Sequence, residues 1–253
     1  MSMFEIVFSP TGGTRKVSGL VAGALDKNTV TVDLTDSGLD FHGVSMAKGD
    51  VAVISVPSYA GRVPAVAVER LGMVRGNGAR AVLVCVYGGR AFEDTLIELE
   101  DVAKRAGFRV VAAVSAIAEH SVARQFAAGR PDAQDVAQLS EFAQRIRQKL
   151  LDGAASEPSI PGNRPYKQAG GHSMVPHATE DCVSCGACAA LCPVRAIDKD
   201  DPRQVDGEAC ISCMRCVSVC SQNARKLDPN KLAAVTQMLS KACVERRECE
   251  IFI

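Results

Sequence analysis

Apolar positions alternate between two spacings over the first 150 residues. Phe4-Glu5-Ile6-Val7-Phe8 is a short strand-like run, closed by a Gly12-Gly13 turn. Val17, Leu20, Val21, Ala24 and Leu25 then recur at the helical interval and predict an amphipathic helix. Thr29–Leu34 reads as a second strand. Val51–Val56 and Ala81–Val86 are continuous apolar runs, the pattern of strands buried on both faces. Ala65–Val74 is a weaker helix. A helix carrying Phe92, Leu96, Leu99 and Ala103 leads into a fifth strand, Val110–Ile117. The last helix has Pro131 near its start and Val136, Leu139, Ala143, Ile146 and Leu150 on one face. Strands alternating with helices predict an α/β unit with a parallel sheet covered on both sides. Ligands of such sheets bind beyond the carboxyl ends of the strands.

The pattern breaks at residues 152–171, which hold four Gly and three Pro and read as a linker. Beyond it the chain turns cysteine-rich, and residues 229–242 carry a weak helical rhythm through Leu232, Val235 and Leu239. The expected division is 1–151, a linker 152–171, a second domain 172–228, and a helical tail 229–253. The 253 residues include 29 basic and 29 acidic side chains, a balance that argues against nucleic-acid binding. No run reaches the length of a membrane helix and the start does not read as a signal peptide, so a cytoplasmic protein is expected. Ten of the 11 cysteines follow residue 180. In a reducing compartment, that clustering points to metal ligation rather than disulfides.

Cys182, Cys185, Cys188 and Cys192 form C-x2-C-x2-C-x3-C, and Cys210, Cys213, Cys216 and Cys220 repeat it 28 residues later. Thiolates two residues apart can wrap one cluster from a tight loop. Structural zinc is the alternative, but its paired C-x2-C knuckles do not call for a third and fourth cysteine at these offsets, twice. The run is identified as the bacterial iron–sulfur signature, in which the fourth cysteine serves the other cluster. That resemblance implies two 4Fe–4S clusters: Cys182, Cys185, Cys188 and Cys220 on one, and Cys210, Cys213, Cys216 and Cys192 on the other. Gly186 leaves room for close backbone approach, and Met214 replaces it in the second loop. Ser221 stands where Pro193 stands. Cys85 reads as core, Cys243 and Cys249 as ordinary thiols, and His177 as a surface residue.

Three turns follow strands one, three and four. Ser9-Pro10-Thr11-Gly12-Gly13-Thr14 is hydroxyl-rich and is neither a Walker loop nor a dinucleotide fingerprint. Backbone N–H groups and hydroxyls at a helix start can hold a phosphate dianion without a cation. A plain capped turn is the alternative. Pro57-Ser58-Tyr59-Ala60-Gly61-Arg62 and Tyr87-Gly88-Gly89-Arg90-Ala91-Phe92 place two of the chain's three tyrosines at strand ends, where they could stack on a flat heterocycle. The first turn resembles the phosphate loop of flavodoxins. With Glu119-His120-Ser121 and Gly129-Arg130-Pro131-Asp132, the whole is similar to flavodoxin domains fused to a two-cluster ferredoxin in anaerobic microbes. The resemblance implies a flavodoxin-like doubly wound five-stranded parallel sheet of order 2-1-3-4-5, plus a small α+β bacterial ferredoxin-like domain. It implies bound FMN, with Tyr59 over a flavin face, the Gly61 backbone at N5, and Gly88, Gly89 and Arg90 at the polar edge. Arg62 and Arg90 flanking the ring would raise its potential. His120 is a candidate at the cofactor or substrate opening.

Clusters carry single electrons and a flavin takes one or two. The expected role is electron transfer between the clusters, FMN and a redox protein partner, whether a ferredoxin, a flavoprotein or a metalloenzyme. A homodimer is compatible with this. Two other roles stay open: reduction of a quinone, nitro compound or enoate at the flavin, and redox or oxygen sensing.

Overall fold

A computed structural model describes residues 2–153, 156–171 and 173–253 of the chain. The first unit runs β1 (Met3–Val7), α1 (Gly13–Leu25), β2 (Thr29–Asp33), β3 (Val51–Pro57), α2 (Ala65–Met73), β4 (Arg80–Tyr87), α3 (Thr95–Arg105), β5 (Arg109–Ile117) and α4 (Ala133–Leu151). The five strands are parallel in the order β2-β1-β3-β4-β5. This is the doubly wound, flavodoxin-like arrangement, and its strand order reverses between β1 and β3.

Alternation along the strands sorts the core into two layers. Val51, Val53, Val82 and Val84 pack with Val17 and Val21 of α1 and Leu139 and Ile146 of α4. Ala52, Ile54, Ala81 and Leu83 pack with Leu71 of α2 and Leu96 and Leu99 of α3 on the other side. Two polar groups between the sheet and α1 satisfy each other, the buried Ser55 hydroxyl of β3 donating to the Ser18 hydroxyl of α1 at 2.9 Å. Phe92 precedes α3 rather than sitting on it, and meets Tyr87 edge-on at 5.5 Å.

The remainder holds β6 (His177–Ala178), α5 (Ala187–Ala190), α6 (Arg215–Ser218), β7 (Arg225–Lys226), α7 (Pro229–Ala242) and β8 (Glu250–Phe252). β6 and β7 pair antiparallel, and His177 is exposed. The expected five-stranded sheet gains a sixth strand, because β8 from the tail pairs antiparallel with Ala113–Ser115 of β5. The sequence hid this: Glu250-Ile251-Phe252 is too short to show a period. Its seat is built by distant partners. Arg246 pairs with Asp132, and Glu250 accepts from the Ser115 hydroxyl at 3.2 Å. Cys249 is buried, which pushes its thiol up to about 11.

The stretch read as a linker is strapped along α3. Asn163 donates to Asp94, Arg164 pairs with Glu100 and Asp101, and Tyr166 reaches Asp101. Gly162 (φ +141°) is needed there, since a Cβ would fall 2.4 Å from the Ile97 side chain.

Candidate functional site

The carboxyl ends of β1, β3 and β4 open into a small cleft of about 70 Å³ lined by Thr11, Gly13, Thr14, Ser58, Tyr59, Tyr87, Gly88 and His120. The Ser9–Thr14 turn forms its floor. The Ser9 amide donates to the Thr35 hydroxyl at 2.8 Å, and the Ser9 hydroxyl accepts from the Arg15 amide at 2.9 Å. Those bonds fix the turn, and Gly12 takes φ +90° at the N-cap of α1. Gly12 has no side chain to cap the helix and the Ser9 hydroxyl takes only the Arg15 amide of the first turn, so the positive dipole end stays open to an anion.

The wall from β3 is a tight turn. Tyr59 and Arg62 exchange backbone hydrogen bonds at 3.0 Å around Ala60 (φ 51°) and Gly61 (φ 81°), two left-handed residues in succession. This geometry matches a type I′ turn. The Gly61 carbonyl accepts from the Asp94 amide, and a Cβ on Gly61 would strike the Glu93 carboxylate. Opposite, Gly88 lets His120 approach: a Cβ would lie 2.4 Å from the His120 ring. The Gly88 face expected against a flavin edge is thus occupied by an imidazole. His120 Nδ1 accepts from the Val122 and Ala123 amides at 3.2 and 3.1 Å. Burial, then the Arg90 charge, lowers its pKa, so the ring is neutral with its proton on Nε2.

The two expected flavin cations are not free charges. Arg62 forms a bidentate pair with Glu98 at 2.8 and 2.7 Å, and donates to the Lys167 carbonyl at 2.6 Å. Its guanidinium lies 4.9 Å from the Tyr166 ring centroid. Glu98 also accepts from the Val63 amide, so it holds the end of the turn directly. Arg90 pairs with Glu93 at 2.9 Å and, with Phe92, lines a separate recess beside the tail. Gly89 (φ +95°) shapes that bend.

The cysteine repeat is also a repeat of backbone conformation. Ser184 and Ser212, Gly186 and Met214, and Arg195 and Asn223 are each 28 residues apart, and all six have φ between 50° and 76°. Met214 adopts the left-handed geometry of Gly186 at a steric cost, and its side chain is 2% exposed. The Ala196 and Ala224 amides donate to Cys192 Sγ and Cys220 Sγ, both at 3.3 Å. Cys192 lies with Cys210, Cys213 and Cys216, all close enough to act on the Cys213 thiol. Burial pushes Cys213 and Cys216 up to about 12, so thiolates there need a cationic partner. Among the described residues no three Cys, His, Asp or Glu side chains gather around one ion. A single zinc, with all its sulfurs at about 2.3 Å, is a poor fit.

The second cysteine loop is seated on the strand-end cleft. Arg215 Nη1 donates to the Pro10 carbonyl at 2.9 Å, and its buried Nε has no partner. Cys213 is near enough for its charge, after burial, to push the Tyr59 phenol well above its usual range. A second cavity of about 430 Å³ continues from Tyr59 and His120 to Ile211, Ser212, Gly170 and Met174. The first loop docks on α2 and the loop after β2: Arg70 donates to the Pro193 carbonyl and Arg195 to the Ser37 carbonyl. Sequence reading missed Arg215 and Glu98. A lone arginine on a cysteine loop and a glutamate inside a helix give no local sign of partners so distant in the chain.

Residues 156–237 match the family model of the 4Fe–4S dicluster domain. No curated protein matches the chain. Among solved structures it is similar to a flavodoxin of Streptococcus pneumoniae TIGR4, with 21% identity over 58% of this chain and 99% of that one and a TM-score of 0.40. The rubredoxin oxygen:oxidoreductase of the anaerobe Desulfovibrio gigas is 13% identical over 61% of this chain and 37% of that one, at 0.43. An azoreductase of Bacillus anthracis is 11% identical over 58% and 100%, at 0.40.

Proposed function

We propose that this flavodoxin-like sheet joined to a 4Fe–4S dicluster domain passes single electrons between two clusters and an FMN held at the strand ends. The observation that carries the proposal is the seat of the Cys210–Cys216 loop on the cleft, through Arg215 on Pro10 and the cavity that Ile211 and Ser212 line together with Tyr59. The FMN phosphate suits the uncapped start of α1 and the hydroxyls of Ser9, Thr11 and Thr14, with the orphaned Arg215 Nε close by. Cys182, Cys185, Cys188 and Cys220 would hold one cluster, and Cys210, Cys213, Cys216 and Cys192 the other. When bound, the clusters supply one-electron steps and the flavin couples them to two-electron chemistry.

The chain's own residues do the rest. The Tyr59–Arg62 turn, locked by Glu98, shapes one wall. His120 presents a neutral imidazole whose Nε2 proton can be donated at the opening. Tyr59 lines both the cleft and the cavity that reaches the cysteine loop. Cys185 and Val183 are exposed on the other loop, which gives an external redox protein access to that end. A second reading, reduction of a small molecule at the flavin, is favoured by the larger cavity, where Val63, Val68 and Met174 supply apolar walls beside His120.

Anaerobic purification followed by flavin, iron and sulfide analysis tests the reading. One FMN and about eight iron per chain are expected. Intact clusters without flavin would remove the role given to the cleft. Turnover of quinone, nitro compound or enoate at a rate matching flavin reoxidation would favour the second reading.

A further inference from the structure

We infer that Arg225 sets the reduction potentials of the two clusters and makes them unequal; this rests on the dicluster reading above. Arg225 lies on β7 and is 2% exposed. Its Nη2 donates to Cys188 Sγ at 3.3 Å and also to the Pro202 carbonyl. Its Nε and Nη1 are buried without any partner. Among the described residues no carboxylate pairs with it. Cys216 of the other set packs against the same buried cluster as Cys188. The guanidinium therefore touches Cys188 of one sulfur set where Cys216 of the other packs against the same buried cluster.

A buried cation with no counter-charge is strongly unfavourable. Among the described residues no anion answers it, and the clusters would bring one. A cubane held by four thiolates is negatively charged, and gains one further negative charge when it accepts an electron. Arg225 therefore stabilises the reduced form of each cluster and raises its potential. No bond to Arg225 forms or breaks, and its proton stays in place.

The repeat shows why the effect is unequal. Twenty-eight residues earlier, where the first half should carry the same device, stands Ile197, 4% exposed. One half of an otherwise matched repeat is apolar at this position and the other is cationic. The N–H···S contact reaches Cys188 only, so the cluster holding Cys188 has the higher potential. The cluster beside Tyr59 has the lower one. Two sites with the same ligand spacing are thereby graded.

The test is an EPR-monitored redox titration of the full, anaerobically reconstituted chain, with dithionite supplying the electrons, for wild type, Arg225→Met and Arg225→Lys. In Arg225→Met both midpoints fall and the gap between them narrows. The larger fall corresponds to at least a tenfold change in the reduction equilibrium, about 59 mV for one electron. Arg225→Lys keeps most of the wild-type values. Unchanged midpoints in an Arg225→Met protein with full iron content overturn the inference. So does an Arg225→Lys protein that falls as far as Arg225→Met. A measurement independent of variant folding is pulsed EPR of reduced wild type carrying 15N-arginine. Guanidinium coupling is expected on the higher-potential signal, and its absence there refutes the assignment. Failure of the dicluster reading would show separately, as about four iron or fewer in wild type.

Discussion

Arg62→Ala separates two physical roles for one side chain. As a free cation near the flavin, Arg62 would stabilise the added electron. At about 8 Å and an effective dielectric near 20, that is worth about 2 kcal/mol, or about 90 mV for one electron. The structure removes that role, because Glu98 supplies an equal and opposite charge 2.7 Å away. What remains is a clamp. The pair is bidentate, and Glu98 also takes the Val63 amide. Breaking a fully buried pair costs about 3–5 kcal/mol. The Arg62 side chain is 21% exposed, so the stranded Glu98 recovers some hydration and about 2–3 kcal/mol is the better expectation. Arg62→Ala should lower the urea midpoint of the sheet, and a double-mutant cycle with Glu98→Ala should give a coupling of about 1–3 kcal/mol. The flavin midpoint, read by anaerobic titration at constant iron content, should move by less than about 20 mV, small against the 59 mV that marks a tenfold change. A large drop in flavin potential with an unchanged urea midpoint would show that the clamp reasoning is wrong.

Three further outcomes follow from the same geometry. His120 is held neutral, with a folded pKa below its unfolded value near 6.5, so the unfolded state binds more protons as pH falls. Stability should decline on acidification below about pH 6.5, and urea midpoints across pH should lose that component in His120→Asn. Gly12→Ala places a side chain at φ +90° with open space around its Cβ, so the penalty is backbone strain of about 1–2 kcal/mol. FMN titration by fluorescence quenching should show weaker binding with iron content unchanged. Ending the chain at residue 243 removes β8, bares the Ala113–Ser115 edge and strips Arg246 from Asp132. Size-exclusion chromatography should then show self-association.

The parallel strands were legible because their apolar runs are long enough to carry their own signal, as in Val51–Val56 and Ala81–Val86. The cysteine repeat was legible for a different reason: cluster ligation fixes spacing within a few residues, so the chemistry is written locally. The rest depends on pairs far apart in the chain. Arg62 reads as surface charge until Glu98, 36 residues on, is folded against it. β8 pairs with a strand some 137 residues earlier and has only three residues to announce itself. Gly88 reads as a glycine reserved for a ligand, yet the space it frees is filled by His120, brought in by the turn after β5.

Net charge zero conceals where this chain keeps its cations. Among the described residues the buried side-chain atoms without a hydrogen-bond partner are Glu5 Oε1, Ser212 Oγ, Arg215 Nε, and Arg225 Nε and Nη1. Elsewhere the interior satisfies its polar groups, as at Ser18–Ser55 and Arg62–Glu98, so an unpartnered buried donor needs a reason. All the orphans except Glu5 lie between residues 212 and 225, and all three guanidinium atoms are positive donors. One guanidinium faces the turn at the start of α1, and the other touches Cys188 of the cysteine repeat. Both are positions where a bound group would bring negative charge, a phosphate in one case and a thiolate-held cluster in the other. The donors left over by the protein's own hydrogen bonding thus fall where the proposed cofactors would supply acceptors, and the same loop of cysteines links the two places.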